Sequence, residues 1–585
     1  DRWRSSTRIP YEARKAVSIK LVLSHYLAGL RERNELDALL PELLLAMGHS
    51  ILSRPQQGVN QAGVDAVSTF QGSDGKKVVY LFVIKFGDVV REGFFGGKQT
   101  VDSSIREASN TFIRNRLPQG LQDCEKQIVL VSNGFLKQEI LDGYAALSKD
   151  IAERERQSLH FWGSDELTPL IERYIFNESL LLDKGKSDLR ASLATLEETE
   201  ASVHRFIRFI DSCMETPAKE ASKPVGARKK NFLRRCAAAA MGWAVLLGWC
   251  ETEGNLKPGV IAGEYVLLRL WADAVRAGWQ RDKKFQERFL NVFGMQLGAL
   301  LRYYQKLAKH LIHKREVLGY RPEHVFYTDL VFEELGRLGL TLLMLQHMEG
   351  TELHRHDIRE LLVRVINEHG CCHLPTMDGQ SIDMSLALLS LIGESDLKSA
   401  QALLDAAVQM LRVAVTNDRW LPIDTDSYED AIASQEGEDV DPREHFRTST
   451  LFPMLGTFAG LLNDRKALGI LINQVAPKMS EVTAERWTPS VELETLAGSR
   501  RTVVDVGVSK SIRLLESPED EVRQSLQTPP GAAAYEDFKW TGTPFELLAA
   551  ISARFHRHPL PAWYIVNHAV RSRPSTQPDV PKPAT

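Results

Sequence analysis

Two side chains near the start of the chain have the types and spacing for phosphodiester chemistry. Asp65 follows Gly63 and Val64 at the head of one short apolar stretch, and Lys85 closes the next, Val78 to Ile84. A carboxylate at the start of one strand and a lysine at the end of its neighbour can sit side by side on a sheet edge. Cleaving a phosphodiester with Mg²⁺ requires carboxylates for the metal, a group that orients water, and positive charge near the phosphate. Asp65 and Lys85 supply one carboxylate and one cation.

The surrounding pattern is that of an α/β domain. Glu12 to Met47 holds two helical patterns, the second with Leu36, Leu39, Leu40, Leu43 and Leu44 at helical spacing before Gly48. A strand follows over His49 to Arg54. Val64 to Phe70 and Lys77 to Phe86 read as a hairpin joined by Gly72-Ser73-Asp74-Gly75. Gln99 to Arg116 reads as a helix, Gln127 to Ser132 as a fully apolar strand, and Asn133-Gly134 as the turn before another helix. A last strand at Leu159 to Trp162 precedes Ser164-Asp165-Glu166, which caps a helix to about Tyr174. The order is helix, three strands, helix, strand, helix, strand, helix.

With these pieces in this order, residues from about 10 to 180 resemble the PD-(D/E)xK restriction-endonuclease-like superfamily, and more closely its Mrr-like branch. The matching pieces are PELLLAMGHSI, Gly63 to Asp65, YLFVIK ending at Lys85, the helix after Gln99, QIVLVS, and FWGSDEL at Phe161 to Leu167. The resemblance implies that Asp65 is a metal ligand and that Lys85 positions the attacking water or the phosphate. It places the second acid two residues before the lysine, where this chain has Val83. Relatives of this fold also use a glutamate from the first helix, matched by Glu42, and some branches place a glutamine where Gln99 stands. Two functions follow. One is a Mg²⁺-dependent DNA endonuclease in a prokaryotic restriction or anti-phage defence system, with Asp65, Lys85, Glu42 and Gln99 as its site. The other is a degenerate nuclease fold serving as a DNA- or protein-binding assembly subunit, with an ATPase or other defence protein as partner and self-assembly as a further expectation.

The rest of the chain is mostly helical in pattern. Amphipathic or apolar segments at helical period run through Ala262 to Gly278, Phe285 to Leu311, Thr328 to Met348, Asp357 to His369, Met384 to Ile392, Ser399 to Val415 and Leu451 to Val475. No fixed-period repeat is present. The expected organisation is a restriction-endonuclease-like domain over 1–185, a helical domain over 186–420, a second mostly helical domain over 421–572, and a disordered tail over 573–585. Thr216 to Lys230 reads as a connector and Asp424 to Asp441, with eight carboxylates and no basic residue, as a solvated acidic loop. Thr502 to Val508 is the one strand candidate in this half.

Charge and cysteine usage limit the remaining classes. A formal net charge of −4 over 585 residues gives no global basic field, so nucleic-acid binding needs a local patch. Arg228, Lys229, Lys230, Arg234 and Arg235 form the densest such cluster; it reads either as a phosphate-neutralising face or as a solvated helix start. The glycine-rich loop Phe86 to Lys98 matches no nucleotide-binding spacing; its aromatics and mixed charge read either as a loop that tracks a DNA backbone or packs on a partner, or as a plain mobile surface loop. His369-Gly370-Cys371-Cys372-His373 matches no zinc template. Six cysteines without a signal-peptide pattern read as cytoplasmic thiols. The uncharged run Cys236 to Cys250 falls short of the roughly 18–20 residues that cross a bilayer, so it reads as a buried helix and no membrane is expected.

Overall fold

The computed structural model describes residues 22–30, 35–55, 62–72, 75–96, 100–174, 185–313, 325–417, 421–436, 442–491, 507–533 and 543–572. The chain divides into two compact units. The first comprises the described residues within Asp1–Ala262 and Asp282–Met295, the second those within Gly263–Arg281 and Gln296–Thr585.

The first unit is built on a mixed five-stranded sheet in the order β1-β2-β3-β4-β5: Ser50–Ser53, Ala66–Gln71, Lys77–Lys85, Glu125–Ser132 and Ser158–Trp162. β1, β2 and β3 are antiparallel neighbours, whereas β4 runs parallel to β3 and β5 parallel to β4. The elements thus follow in the expected order, with ends shifted by one or two residues. The central strands are apolar on both sides because both faces are covered. On one face Val67, Val79, Leu81, Val83, Ile128 and Leu130 join residues of the helices Val101–Arg106 and Leu141–Glu155 in a single core. On the other, Tyr80 stacks beside Phe82, His49 lies against Tyr80, and Phe82 meets Trp162.

The stretch from Thr216 to Lys230 differs from its expected role as a connector. It holds a short turn and then, from Val225, the first turns of a helix that runs unbroken to Glu253. The run Cys236 to Cys250 lies inside that helix with both cysteines buried. Among the described residues no helix is long and apolar enough to cross a membrane.

The second unit is mainly helical, with its centre in the pair Val325–Gln346 and Ser381–Gly393. Gly339 is what lets them close. A Cβ built there would meet the backbone of Leu386 and Ala387 at 2.6–2.7 Å, and no side chain can swing away to relieve it. Gly339→Ala should therefore destabilise this unit by about 1–3 kcal/mol despite alanine's better helix propensity. A denaturation midpoint equal to or above the wild type's would show that the helices can part at no cost.

Two sequence expectations change in this unit. Leu451 to Val475 is not one helix: Leu451–Leu461 ends, Asn463 takes a left-handed φ of 55°, and Asp464 caps a new helix by accepting from the Ala467 N–H at 2.9 Å. The acidic stretch is partly built into the structure, because Tyr428–Glu436 is helical. There Asp424 accepts from the Arg447 N–H (2.8 Å) and Asp430 from the Thr425 hydroxyl (2.9 Å). A small three-stranded sheet, β6-β7-β8 (Thr448–Ser449, Thr483–Pro489, Gly507–Ser511), was not expected beyond its last strand. Most of the strand candidate Thr502 to Val508 and the tail 573–585 lie outside the described residues.

Candidate functional site

The Gly63-Val64-Asp65 turn is held by backbone as much as by chemistry. Gly63 has φ +77°, and a Cβ there would lie 2.2 Å from the Ser104 carbonyl oxygen, so only glycine fits. Val64 is buried in the sheet core. Asp65 stands just before β2 and is half-buried. Its N–H donates to the Phe82 carbonyl at 2.8 Å, and its Oδ2 accepts from the Ile84 N–H at 2.7 Å. Asp65 thus grips the backbone on either side of Val83, its N–H on the Phe82 carbonyl and one carboxylate oxygen on the Ile84 N–H.

Lys85 ends β3, paired in register with Ser132 of β4. Successive side chains of a strand alternate, so Leu81, Val83 and Lys85 share a face. Asp65 and Lys85 thus come to the same end of adjacent strands, as their spacing predicts. Between them sits Val83, fully buried in the same core as Val67 and Leu81. Its isopropyl group fills a packing position and offers no ligand.

Glu42 lies on the helix Asp37–Ala46, whose buried residues are Leu39, Leu40, Pro41, Leu43 and Leu44. Its own side chain is 53% exposed, and its ion partner is Arg54 at 3.5 Å, just past edge strand β1. Gln99 lies outside the described residues. No three His, Cys, Asp or Glu side chains among the described residues are arranged to hold a metal ion. The His369 to His373 stretch does not form a cage either. The His369 Nδ1 is bonded to the Tyr327 hydroxyl, and its Nε2 donates to the Leu311 carbonyl at 2.6 Å.

The basic cluster is largely spent on intramolecular pairs. Arg234 donates to both oxygens of Glu35 at 2.5 and 2.6 Å, with both side chains mostly buried. Arg235 pairs with the buried Glu220 at 2.7 Å, and Lys229 with Asp282. Arg228 is half-buried. Lys230 is exposed and stands 5.1 Å from the centre of the Phe86 ring, one residue beyond Lys85. The cluster fastens its helix to the α/β domain and leaves Lys230 at the sheet's end.

Sequence reasoning finds the aromatic loop after Lys85 but not its pairing with the loop after β4. Large apolar side chains are exposed on both loops that leave the parallel strands: Phe86, Val90 and Phe95 after β3, Phe135 and Leu141 after β4. The loops are tied together, with the Val89 N–H donating to the Phe135 carbonyl at 2.9 Å and Lys137 paired with Asp88 at 2.7 Å. The aromatic run after Lys85 and the Asn133-Gly134-Phe135 turn were the available signals. Compared with known proteins, the chain matches no family model, no curated protein and no solved structure.

Proposed function

We propose that the N-terminal α/β module is a restriction-endonuclease-like fold that docks DNA without cutting it, as an assembly subunit of a prokaryotic defence complex. The observation that carries this reading is Val83: the position between Asp65 and Lys85 is a buried core residue, and one oxygen of Asp65 is held by backbone. The defence setting comes from the Mrr-like resemblance alone. DNA as ligand is supported by the exposed Phe86, Phe95 and Phe135 on the segments that follow β3 and β4, with Lys230 5.1 Å from the Phe86 ring and Arg91 exposed on the first of them, since aromatic faces stack bases and cations neutralise phosphates. The helical unit is left to sensing and assembly, including contacts with an ATPase or with further copies of the chain.

A second reading, a Mg²⁺-dependent endonuclease, is favoured by one observation: Asp65 and Lys85 stand at the same end of adjacent strands. Labelled duplex and single-stranded DNA, titrated at two salt concentrations with and without Mg²⁺ or Mn²⁺, separates the two. The docking reading expects salt-dependent binding and no cleavage. It also expects Phe95→Ala to weaken binding about tenfold, in line with roughly 1–3 kcal/mol per stacked base. Metal-dependent cleavage lost in Asp65→Ala and Lys85→Ala would replace docking with catalysis, and binding to neither DNA form would remove both.

A further inference from the structure

A cavity of about 160 Å³ in the second unit lies between β7, β8 and the helices Pro518–Ser525 and Ala562–Ser572. Roughly 10–15 Å³ on this scale admits one water, so the space holds a small molecule rather than a single solvent. Its described lining includes Arg486, Lys510, Arg513, Thr488, Ser511 and Gln527, and none of the described lining residues is a carboxylate.

The charges converge for a reason that packing does not supply. Arg486 and Lys510 are directly opposed in the β7–β8 register, and like charges facing each other across two strands are destabilising. Arg486 has a side chain only 10% exposed. One side of its guanidinium is neutralised from behind: Nη2 donates to the fully buried Glu521, and Nη1 to the Gln524 side-chain oxygen at 2.9 Å. Glu521 also accepts from the Leu515 N–H at 2.9 Å, so it is fixed in place. The buried Nε of Arg486 has no hydrogen-bond partner. Burial pushes the Arg486 pKa down, and Glu521 opposes this only in part. Lys510 and Arg513 are both exposed at the cavity. Three cations thus meet one carboxylate, which lies behind the wall rather than in it.

We propose that this cavity is a binding site for a small phosphate-bearing molecule. A phosphate group carries up to two charges and three outer oxygens, which suits a guanidinium, an ammonium and hydroxyl donors arriving from several directions. A flat carboxylate would satisfy one fork and leave the opposed cation uncompensated. The inference does not depend on what the N-terminal module binds, because every residue it uses belongs to the second unit.

Isothermal titration of the full chain with inorganic pyrophosphate tests it, with AMP and citrate as parallel probes. The expected result is saturable pyrophosphate binding that weakens about tenfold or more in Lys510→Ala/Arg513→Ala, the usual scale for losing charge-assisted bonds. Both residues are exposed, so the variant should fold as the wild type does. The charge-matched control Lys149→Ala/Arg154→Ala removes two exposed cations of the first unit and should bind as the wild type does. Absence of saturable pyrophosphate binding, an equal loss in the control, or citrate binding as tightly as pyrophosphate would each overturn the proposal.

Discussion

Replacing Glu334 by alanine is expected to cost the second unit about 3–5 kcal/mol, the range for breaking a buried ion pair from one side. Glu334 and Arg337 are one helical turn apart on Val325–Gln346, and neither side chain has any exposed surface. Glu334 Oε1 accepts from Arg337 and from the Tyr303 hydroxyl at 2.8 Å, while Oε2 accepts from the Tyr304 hydroxyl at 3.2 Å. The Arg337 guanidinium also faces the Tyr303 ring at 5.4 Å and reaches Glu333 at 2.5 Å. Alanine would leave a fully buried cation with Glu333 as its remaining ion-pair partner, the Tyr303 hydroxyl without this acceptor, and the Tyr304 hydroxyl with only the Glu334 main-chain carbonyl at 3.5 Å. The double replacement Glu334→Leu/Arg337→Leu removes both charges and should recover a large part of the loss, because the penalty lies in the orphaned partner. Chemical denaturation followed through this unit's transition reads both effects. A loss below about 1 kcal/mol in Glu334→Ala would mean that water reaches the pair and that the network is not sealed.

The part of the fold that local pattern determines is legible in the sequence. Strands bounded by glycine turns and helices with leucines at helical spacing give the α/β order from Asp37 to Tyr174, and the mixed five-stranded sheet follows it. What required the structure is what distant residues do to each other. Arg234 and Arg235 are adjacent in a basic run, yet one is claimed by Glu35 and the other by Glu220, and nothing in the run itself announces either partner. Glu334 and Arg337 have the spacing of an ordinary surface pair, and only the helices packed around them make them a core network. β7 escaped notice because its sequence, TAERWTP, mixes charge into the alternation, and it pairs with β6 and β8 far away in the chain. The candidate site shows both sides. Val83 stands where the resemblance expects an acid, and its burial in the sheet core is the physical reason for a hydrocarbon there.

Acid is expected to weaken the second unit through His558. Its side chain is fully buried: Nδ1 donates to the Pro559 carbonyl at 3.0 Å, Nε2 meets the Ser552 hydroxyl at 3.0 Å, and the ring lies 4.9 Å from that of Trp487. Burial disfavours the charged ring and brings its pKa from 6.5 down to about 4. Above pH 6.5 the ring is neutral folded or unfolded, and its contribution is fully present. As pH falls from 6.5, the unfolded chain takes up a proton that the folded chain refuses until about pH 4, so stability drains across that window. At about 1.4 kcal/mol per pH unit the full span amounts to about 3 kcal/mol. His49, also brought down to about 4 by burial, acts in the same sense in the first unit, so a wild-type profile alone does not isolate His558. The difference between wild type and His558→Gln does. Glutamine lowers stability at pH 7 by removing ring packing, but it cannot titrate, so the two denaturation midpoints should converge between pH 6.5 and 4. Midpoints that stay parallel over that range would mean that His558 is protonated in the folded chain, with solvent or a carboxylate reaching a ring that its burial seals off.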